Sequence, residues 1–310
     1  MDKYKIAVVG IGGVGGYYGG KLAKRYADDP GYEITFIARG DHKSKIEKEG
    51  LRLELEEGTA FIHPSKVVET PQQLGKQDLI IFCVKSYSLE QVAEQFETNI
   101  TPATVLLPLL NGVDGIEYLQ NRYPEAQTLW GCVYIVSSKT APGVVKVQGK
   151  YNRLVWGNPK LPAEVLQRVK ALFEDAGINQ EFYDDVENKV WEKFAFISPV
   201  ASLSSLSDKT MGQLVGQDDL RQQLINLMQE IKLIAAAKGV ELPENIVEQN
   251  LKVVEKLPHE ATSSMQRDFR EGNRTELENL TGYIVREGEK AGISTPTYAE
   301  VYQQLKHKSI

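Results

Sequence analysis

The sequence predicts an α/β fold in which a doubly wound parallel sheet is followed by an all-helical domain. The first observation is that strand-like and helix-like segments alternate over residues 1–130, as they do in βαβ units. The second is a change after about residue 187, where helical periodicity dominates and no segment has the pattern of a strand. We therefore expect a sheet domain over residues 1–187 and a helical domain over residues 188–310.

The predicted elements of the first domain are short apolar strands and the helices between them. Lys5–Val9 is the first strand, and the helix after it runs from about Val14 to Ala27. The later strands are predicted at Glu33–Ala38, Leu79–Val84, Thr104–Leu110, Trp130–Val136 and Val144–Gln148. Strands interleaved with helices in this way predict a parallel sheet.

The second domain contains several segments with helical periodicity. These are Val190–Leu206, Leu220–Lys238, Ser263–Arg270 and Glu276–Lys290. Val190–Ile197 is nearly all apolar, and a helix that is apolar on most of its faces is buried.

Composition excludes several functional classes. Lys and Arg number 36 against 42 Asp and Glu, and a net charge of −6 without a basic block argues against nucleic-acid binding. The longest apolar run, Leu79–Val84, is far shorter than the ~20 residues that span a bilayer. No signal peptide precedes the first strand, so we expect a cytoplasmic protein. Cys83 and Cys132 lack metal or redox spacing, which predicts buried free thiols and no metal site.

A glycine cluster closes the first predicted strand. It fits the pattern G-x-G-x-x-G with the residues Gly10, Ile11, Gly12, Gly13, Val14 and Gly15. Glycines at these positions permit a tight turn and let the backbone approach a pyrophosphate, while the helix that follows offers free N–H groups. A strand before the cluster and a helix after it favour a Rossmann-type dinucleotide site over a glycine-rich turn without ligand.

The end of the second strand predicts which dinucleotide binds. A site selective for NAD usually has an acidic residue there, to bind the ribose 2′-hydroxyl. This chain has Arg39, whose guanidinium suits a 2′-phosphate in charge and geometry, so we expect NADP(H). The alternatives are that Arg39 is a solvated loop charge and that Asp41 binds the ribose.

Two further polar residues end strands on the same edge of the predicted sheet. Lys85 follows Leu79–Val84 and Asn111 follows Thr104–Leu110. Ligands of open α/β sheets bind outside the carboxyl ends of the strands. Either residue alone is more often part of a turn than a ligand contact, but their position on one edge with the glycines and Arg39 reverses that preference.

The helical domain contains candidates for proton transfer and substrate contact. Lys193 lies inside the apolar helix, where desolvation would lower its pKa and suit it to give a proton to a developing alkoxide. The alternative is a lysine whose ammonium reaches water along the helix. Ser264 and Glu276 lie near two predicted capping boxes, Ser263–Gln266 and Thr275–Glu278, so the residues alone favour helix capping and the helix dipole as their explanation.

Taken in order and spacing, these motifs resemble the ketopantoate reductases (2-dehydropantoate 2-reductases) over essentially the whole chain. The matching residues are Gly10-x-Gly12-x-x-Gly15, Arg39, Val84-Lys85, Asn111-Gly112, Trp191-x-Lys193-Phe194, Ser263-Ser264-Met265 with Asp268, and Thr275-Glu276.

The resemblance implies an NADPH-dependent reduction of 2-dehydropantoate to pantoate, a step of pantothenate biosynthesis, between a Rossmann domain and a helical substrate domain. It implies that Lys193 is the general acid and that Lys85 and Asn111 lie at the nicotinamide end of the cofactor. Ser264 matches a residue that contacts the substrate, and Glu276 matches one that contacts cofactor or substrate. The expected partner is a small 2-oxo acid, and a homodimer is the oligomer that base rates favour.

The sequence departs from the family at three positions. Members usually carry asparagines four, eight and eighteen residues after the lysine, where this chain has Ile197, Ala201 and Met211. A buried polar partner lost from a substrate costs ~1–3 kcal/mol. Hydroxyls that could compensate are those of Ser202, Ser204 and Ser205.

These departures leave two alternatives to a ketopantoate reductase. One is a reductase of the same fold that acts on a more apolar oxo acid or ketone. The other is a non-catalytic NADP-binding sensor, which would need the glycines and Arg39 but not Lys193.

Overall fold

The computed structural model describes residues 3–308, and they form two compact units. Unit 1 comprises the chain up to Leu110 together with Gly115–Val186. Unit 2 comprises the chain from Glu187 onward together with a four-residue segment from the first half of the sequence, Asn111–Asp114.

The strands all lie in unit 1. They are β1 (Tyr4–Val9), β2 (Tyr32–Ile37), β3 (Leu51–Leu55), β4 (Gly58–Ile62), β5 (Lys66–Val68), β6 (Leu79–Phe82), β7 (Val105–Pro108), β8 (Gln127–Thr128), β9 (Trp130–Ala141), β10 (Val144–Gly157) and β11 (Gln180–Phe182). The helices of this unit are α1 (Gly13–Arg25), α2 (Gly40–Glu49), α3 (Leu89–Gln95), α4 (Asp114–Arg122, whose first residue groups with unit 2) and α5 (Ala163–Asp175).

The first sheet has six parallel strands in the order β5-β2-β1-β6-β7-β8. Counted within this sheet the order is 3-2-1-4-5-6, which is the Rossmann arrangement. The strand order reverses between β1 and β6, so the carboxyl ends of these two strands form the switch point at which such sheets bind ligands. The predicted doubly wound parallel sheet is confirmed.

Both faces of this sheet are covered, because its strand residues alternate between two apolar clusters. Ile6 and Val8 pack with Leu22 of α1 on one side. Ala7 and Val9 pack on the other side, in the cluster that contains residues of α3 and α4. Burial on both faces explains why the parallel strands are continuous apolar runs instead of alternating ones.

A second, five-stranded sheet was not expected from the sequence. Its path is β11-β10-β3-β4, and β9 pairs antiparallel along the length of β10. The segments predicted at Trp130–Val136 and Val144–Gln148 are indeed strands, but they form a long antiparallel hairpin, β9–β10, in this sheet. Their partners in the sheet, such as Arg52 opposite Val144, lie far away in the sequence, so a local pattern could not reveal the pairing.

Unit 2 is helical, as predicted. Its helices are α6 (Val186–Ser207, whose first residue groups with unit 1), α7 (Met211–Gly216), α8 (Asp218–Ala237), α9 (Ile246–Lys256), α10 (Ser264–Arg270), α11 (Tyr283–Ala291) and α12 (Pro296–Lys308). A π-helical turn, Glu278–Gly282, leads directly into α11. Among the helices of residues 3–308, none is both long enough and apolar enough to cross a bilayer.

The long helix α6 is the core of unit 2, which confirms the prediction of a buried helix. Trp191 and Phe194 are almost fully buried, and Phe194 packs edge-on against Tyr283 of α11 with ring centroids 5.7 Å apart. Ser198 on the same helix donates to the carbonyl of Leu280 at 2.8 Å. These contacts hold the π turn and α11 against α6, and they fix the backbone around Lys193.

Candidate active and cofactor-binding residues

In the glycine loop after β1, two glycines lie very close to backbone carbonyl oxygens of other residues. Gly10 has a φ of +88°, and a Cβ there would lie 2.9 Å from the carbonyl oxygen of Cys83 at the end of β6. A Cβ on Gly15 would lie 2.2 Å from the carbonyl oxygen of Gly10. The first and last glycines of the motif are therefore required by the fold, whether or not a ligand is bound.

The middle glycine, Gly12, is different, because the fold leaves room for a side chain at this position. A Cβ on Gly12 would meet nothing within 4 Å. Gly12 is the N-cap of α1, no side chain caps this helix, and the Gly12 N–H has no acceptor within residues 3–308. A bare backbone with an unused donor and the positive end of a 13-residue helix is the arrangement that accommodates a pyrophosphate.

Arg39 follows β2 and is the N-cap of α2, with an exposed side chain. Its guanidinium has no ion-pair partner among the residues that the structure describes. Asp41 is also exposed, in the first turn of α2, where the helix dipole favours an acid. Arg39 is thus available to a ligand, and Asp41 is in a position that the helix dipole explains.

Lys85 follows β6 and caps a short 3₁₀ turn, Ser86–Ser88, with its side chain exposed. The neighbouring Cys83 is partly buried, Cys132 is buried, and both are free thiols, as the sequence predicts. Burial raises the pKa of the Cys83 thiol, which disfavours its thiolate form.

The structure brings Lys193 and Asn111 together, although they lie 82 positions apart in the sequence. Lys193 on α6 is only 9% exposed, and its Nζ donates to Oδ1 of Asn111 at 3.1 Å. Both residues belong to unit 2, because the chain leaves β7 at Pro108 and residues 111–114 pack with the helices. The buried ammonium is therefore held at a defined point by an amide oxygen.

The segment that carries Asn111 is fastened at its other end. Asn279 of the π turn donates from Nδ2 to a carboxylate oxygen of Asp114 in a very short hydrogen bond. Gly112 between them has a φ of +93°, and a Cβ there would lie 3.1 Å from Asp114 Oδ1. Glycine is needed at this turn, and the turn aims the Asn111 side chain at Lys193.

Glu276 lies just before the π turn and is 3% exposed. Its carbonyl oxygen accepts from the backbone N–H of Leu280 at 2.9 Å, so it occupies the start of the helical segment. The capping box expected between Thr275 and Glu278 does not form, because the Glu278 carboxylate binds Arg286 and Tyr302 instead. The predicted capping box is therefore absent, and Glu276 lies at the N-terminal end of a helical segment, where the helix dipole favours an acid.

Ser264 is the first residue of α10 and is half-buried. Ser263 before it is the N-cap and accepts from the backbone N–H of Gln266 at 3.1 Å. The expected box is only half formed, since the Gln266 amide donates to Asp208 and the carbonyl of Lys209. Ser263 also forms a hydrogen bond with Ser204 of α6 at 2.8 Å. Ser204 lies eleven residues after Lys193 on this helix, a separation of about 16 Å along the helix axis.

The three departures from the family pattern are all partly or fully buried. Ile197 is half-buried, and Ala201 and Met211 are almost completely buried. Of the serines that could compensate, Ser202 is bonded to Thr281 at 2.7 Å and Ser204 to Ser263. Ser205 Oγ is buried without a hydrogen-bond partner in the part of the chain described.

His42 is a residue that the sequence patterns did not single out. It lies on α2, is buried, and contacts the backbone of the glycine loop through Nε2 and of Gly143 through Nδ1. The partners lie 31 and 101 positions away in the sequence, so no local motif contains this contact. Ser137 was missed for the same reason: its carbonyl would lie 2.4 Å from a Cβ on Gly13.

Comparison with known proteins supports a single family over the length of the chain. The sequence models of the ketopantoate reductase PanE/ApbA family match residues 6–160 and, for its C-terminal part, residues 185–309. The chain is 28% identical to the uncharacterized oxidoreductase YkpB of Bacillus subtilis, over 97% of each chain. It is 24% identical to a 2-dehydropantoate 2-reductase of Nostoc, over 99% of this chain and 95% of the relative.

Solved structures agree with this result. A 2-dehydropantoate 2-reductase from Porphyromonas gingivalis is 31% identical, with a TM-score of 0.86 over 98% of this chain and all of the other. D-mandelate dehydrogenase, solved with NADH and anilino(oxo)acetate, has a TM-score of 0.86 at 22% identity, over 98% of each chain, and shares the fold.

Proposed function

Since the chain belongs to the ketopantoate reductase family and is an oxidoreductase of that family, we propose that it uses NADPH to reduce a 2-oxo acid, with Lys193 as general acid. The proposed reaction is 2-dehydropantoate to pantoate, as in the relatives named for that activity. The observation that carries the proposal is that Lys193, a residue only 9% exposed, donates from its ammonium to the amide oxygen of Asn111 at 3.1 Å.

The glycine loop is the proposed cofactor cradle. Gly10, Gly12 and Gly15 form it, with Ile11, Gly13 and Val14 between them, and Gly12 presents open space and an unused N–H donor. Arg39 would bind the 2′-phosphate, since it is exposed and has no ion-pair partner within residues 3–308. When bound, a reduced nicotinamide supplies two electrons and one hydrogen to the carbonyl carbon.

Reduction of a carbonyl leaves negative charge on its oxygen, and Lys193 is proposed to neutralise that charge by giving a proton. A general acid must be positioned before the charge develops, because reorienting it during the reaction costs free energy. Asn111 is proposed to provide this positioning, because its Oδ1 accepts a hydrogen bond from the Lys193 ammonium at 3.1 Å.

The remaining predicted residues complete the proposal as binding groups. Lys85 is an exposed cation after β6, suited to the nicotinamide half of the cofactor or to a carboxylate. Glu276 is a buried acid proposed to contact cofactor or substrate. Ser264 is proposed to bind the substrate carboxylate through its hydroxyl or nearby backbone N–H groups.

A second candidate substrate is favoured by one observation: an apolar residue, Ile197, lies one helical turn after Lys193 on α6. Ile197 replaces an amide there, and the hydroxyls of Ser202 and Ser204 are bonded within the helical unit. A 2-oxo acid with an apolar side chain would leave fewer polar groups unpaired than 2-dehydropantoate does. This candidate keeps the same cofactor and the same acid.

The test is consumption of NADPH by the purified chain with a panel of carbonyl compounds. The panel contains 2-dehydropantoate, 2-oxo acids with branched or aromatic side chains, and ketones without a carboxylate. We expect the highest kcat/KM with 2-dehydropantoate; a higher value with an apolar 2-oxo acid selects the second candidate. Each substrate is repeated with NADH, because a neighbour of the same fold was solved with NADH. No consumption of either cofactor with any compound would contradict the proposed reductase.

A further inference from the structure

His42 engages the backbone of two distant segments with both of its ring nitrogens. Nε2 lies 2.6 Å from the carbonyl oxygen of Ile11 in the glycine loop, and Nδ1 lies 2.8 Å from the backbone nitrogen of Gly143 in the β9–β10 turn. The ring is only 9% exposed, and it belongs to α2, the helix that begins directly after Arg39. One side chain thus links the loop, the helix and the hairpin.

The partners determine the protonation state of the ring. The N–H of Gly143 can only donate, so Nδ1 must be the acceptor and carry no proton. The carbonyl of Ile11 can only accept, so the proton is on Nε2. The ring is therefore neutral, and burial lowers the pKa of His42 below its usual value, with the charge of Lys139 lowering it further.

The hydrogen bond to Ile11 also fixes the direction of the next N–H group. A trans peptide is planar, so the carbonyl of Ile11 and the N–H of Gly12 point in opposite directions. Because the carbonyl points to His42, the Gly12 N–H points away from the ring. This N–H has no acceptor within the described residues, and the position of a Cβ on Gly12 is open for at least 4 Å.

We propose that His42 is a positioning residue for the cofactor: its Nε2–H holds the Ile11 carbonyl and so keeps the Gly12 N–H turned towards the bound pyrophosphate. This inference rests on the proposed dinucleotide site. It adds a residue of α2, outside the glycine motif, to the groups that set cofactor affinity. The bond to Gly143 has a different role, since it holds the ring in place and does not touch the loop.

Two conservative substitutions separate the two hydrogen bonds. In H42Q the amide nitrogen can take the place of Nε2 and still donate to Ile11. In H42N the shorter side chain can offer an acceptor near Nδ1 to Gly143 but does not reach Ile11. H63Q is the matched control, because His63 is an exposed histidine of the same unit.

The measurement is the Kd of NADPH by fluorescence titration of the full chain, with urea unfolding of each cofactor-free variant as the readout of folding. We expect H42N to weaken binding about two- to tenfold, the range of one neutral hydrogen bond, and H42Q to weaken it less than H42N. In the reductase assay H42N raises the KM for NADPH while kcat changes little. Binding by H42N equal to that of wild type overturns the inference, and so does equal weakening in both variants.

A spectroscopic measurement on the wild-type chain does not depend on any variant folding. The chain has four histidines, so the nitrogen-15 spectrum of its imidazoles can be assigned. We expect the neutral Nε2–H form for His42 near neutral pH; the Nδ1–H form or an imidazolium overturns the inference. A wild-type chain that binds neither NADPH nor NADH refutes the proposed cofactor site itself, whereas normal wild-type binding with unaffected H42N refutes only the role of His42.

Discussion

Replacing Lys193 by Met tests the proposed acid while keeping the packing of α6. The side chain is 9% exposed, and Met has a similar length and no charge. A positioned general acid contributes about 10²- to 10⁴-fold to the rate, which corresponds to about 2.7–5.5 kcal/mol of activation free energy. We therefore expect kcat of K193M to fall by that factor.

The effect on stability is expected to be small, because two contributions oppose each other. Oδ1 of Asn111 loses its donor, and an unsatisfied acceptor costs about 1–3 kcal/mol. In return the folded state no longer has to desolvate an ammonium, which offsets that cost. We expect the free energy of unfolding to change by less than about 2 kcal/mol. A large loss of rate with a small loss of stability is the signature of a chemical role.

The assay combines three measurements on the same preparation. These are initial rates of NADPH consumption at saturating substrate, the Kd of NADPH, and urea unfolding. The Kd is expected to stay unchanged, because the glycine loop and Arg39 belong to unit 1 and Lys193 to unit 2. The control is K189M: Lys189 lies on the same helix, and its ammonium is paired with Glu192 at 2.8 Å.

One result would refute the reasoning. If K193M folds, binds NADPH and retains kcat within a few-fold of K189M, Lys193 does not supply the proton. Lys85 is then the next candidate, as an exposed cation at the end of a central strand. If K193M and K189M lose activity equally, the loss comes from the helix and not from the acid.

Three further expectations concern the cofactor site. R39A should lower the preference for NADPH over NADH about ten- to a hundredfold, measured as the ratio of the two Kd values, because a charge-assisted contact is worth about 1.5–3 kcal/mol; equal wild-type affinities would contradict it. G15A should destabilise the chain by about 1–3 kcal/mol in urea, since its Cβ falls 2.2 Å from the Gly10 carbonyl, whereas G12A should unfold like wild type but bind NADPH more weakly. The pKa of His42 is below its usual value in the folded state, so the neutral ring stabilises the fold above about pH 6.5, and this contribution is lost as pH falls through the lowered pKa. The free energy of unfolding should therefore fall more on acidification in wild type than in H42Q.

The sequence predicted the parallel sheet and the glycine loop well because their signals are local. A strand, a glycine turn and a helix follow one another within 25 residues, and each carries its own pattern. Strand ends were less accurate: the apolar runs continue to Val84 and Leu110, but the hydrogen-bonded strands end at Phe82 and Pro108. The residues after Phe82 and Pro108 are apolar because their side chains are still packed in the protein, although their backbones no longer pair with a neighbouring strand.

The second sheet and the short helices were missed for different physical reasons. Leu51-Arg52-Leu53-Glu54-Leu55 alternates apolar and polar residues, a strand signal that was present in the sequence and overlooked. Its partners, β4 and part of β10, are set by tertiary pairing. α7 has only six residues, too few for a periodic pattern to be recognised.

The arrangement of Asn111 shows why the site around the lysine is harder to derive than the fold. By its place after β7, Asn111 is a strand-end residue of the first sheet, and the resemblance assigns it to the nicotinamide. The structure groups it with the helices instead, where its amide oxygen accepts a hydrogen bond from Lys193. The segment is also held to the helical unit by Asn279 of the π turn, which donates to Asp114. Sequence position therefore assigns Asn111 to the sheet, whereas its contact with the proposed acid depends on a turn whose course no local pattern predicts.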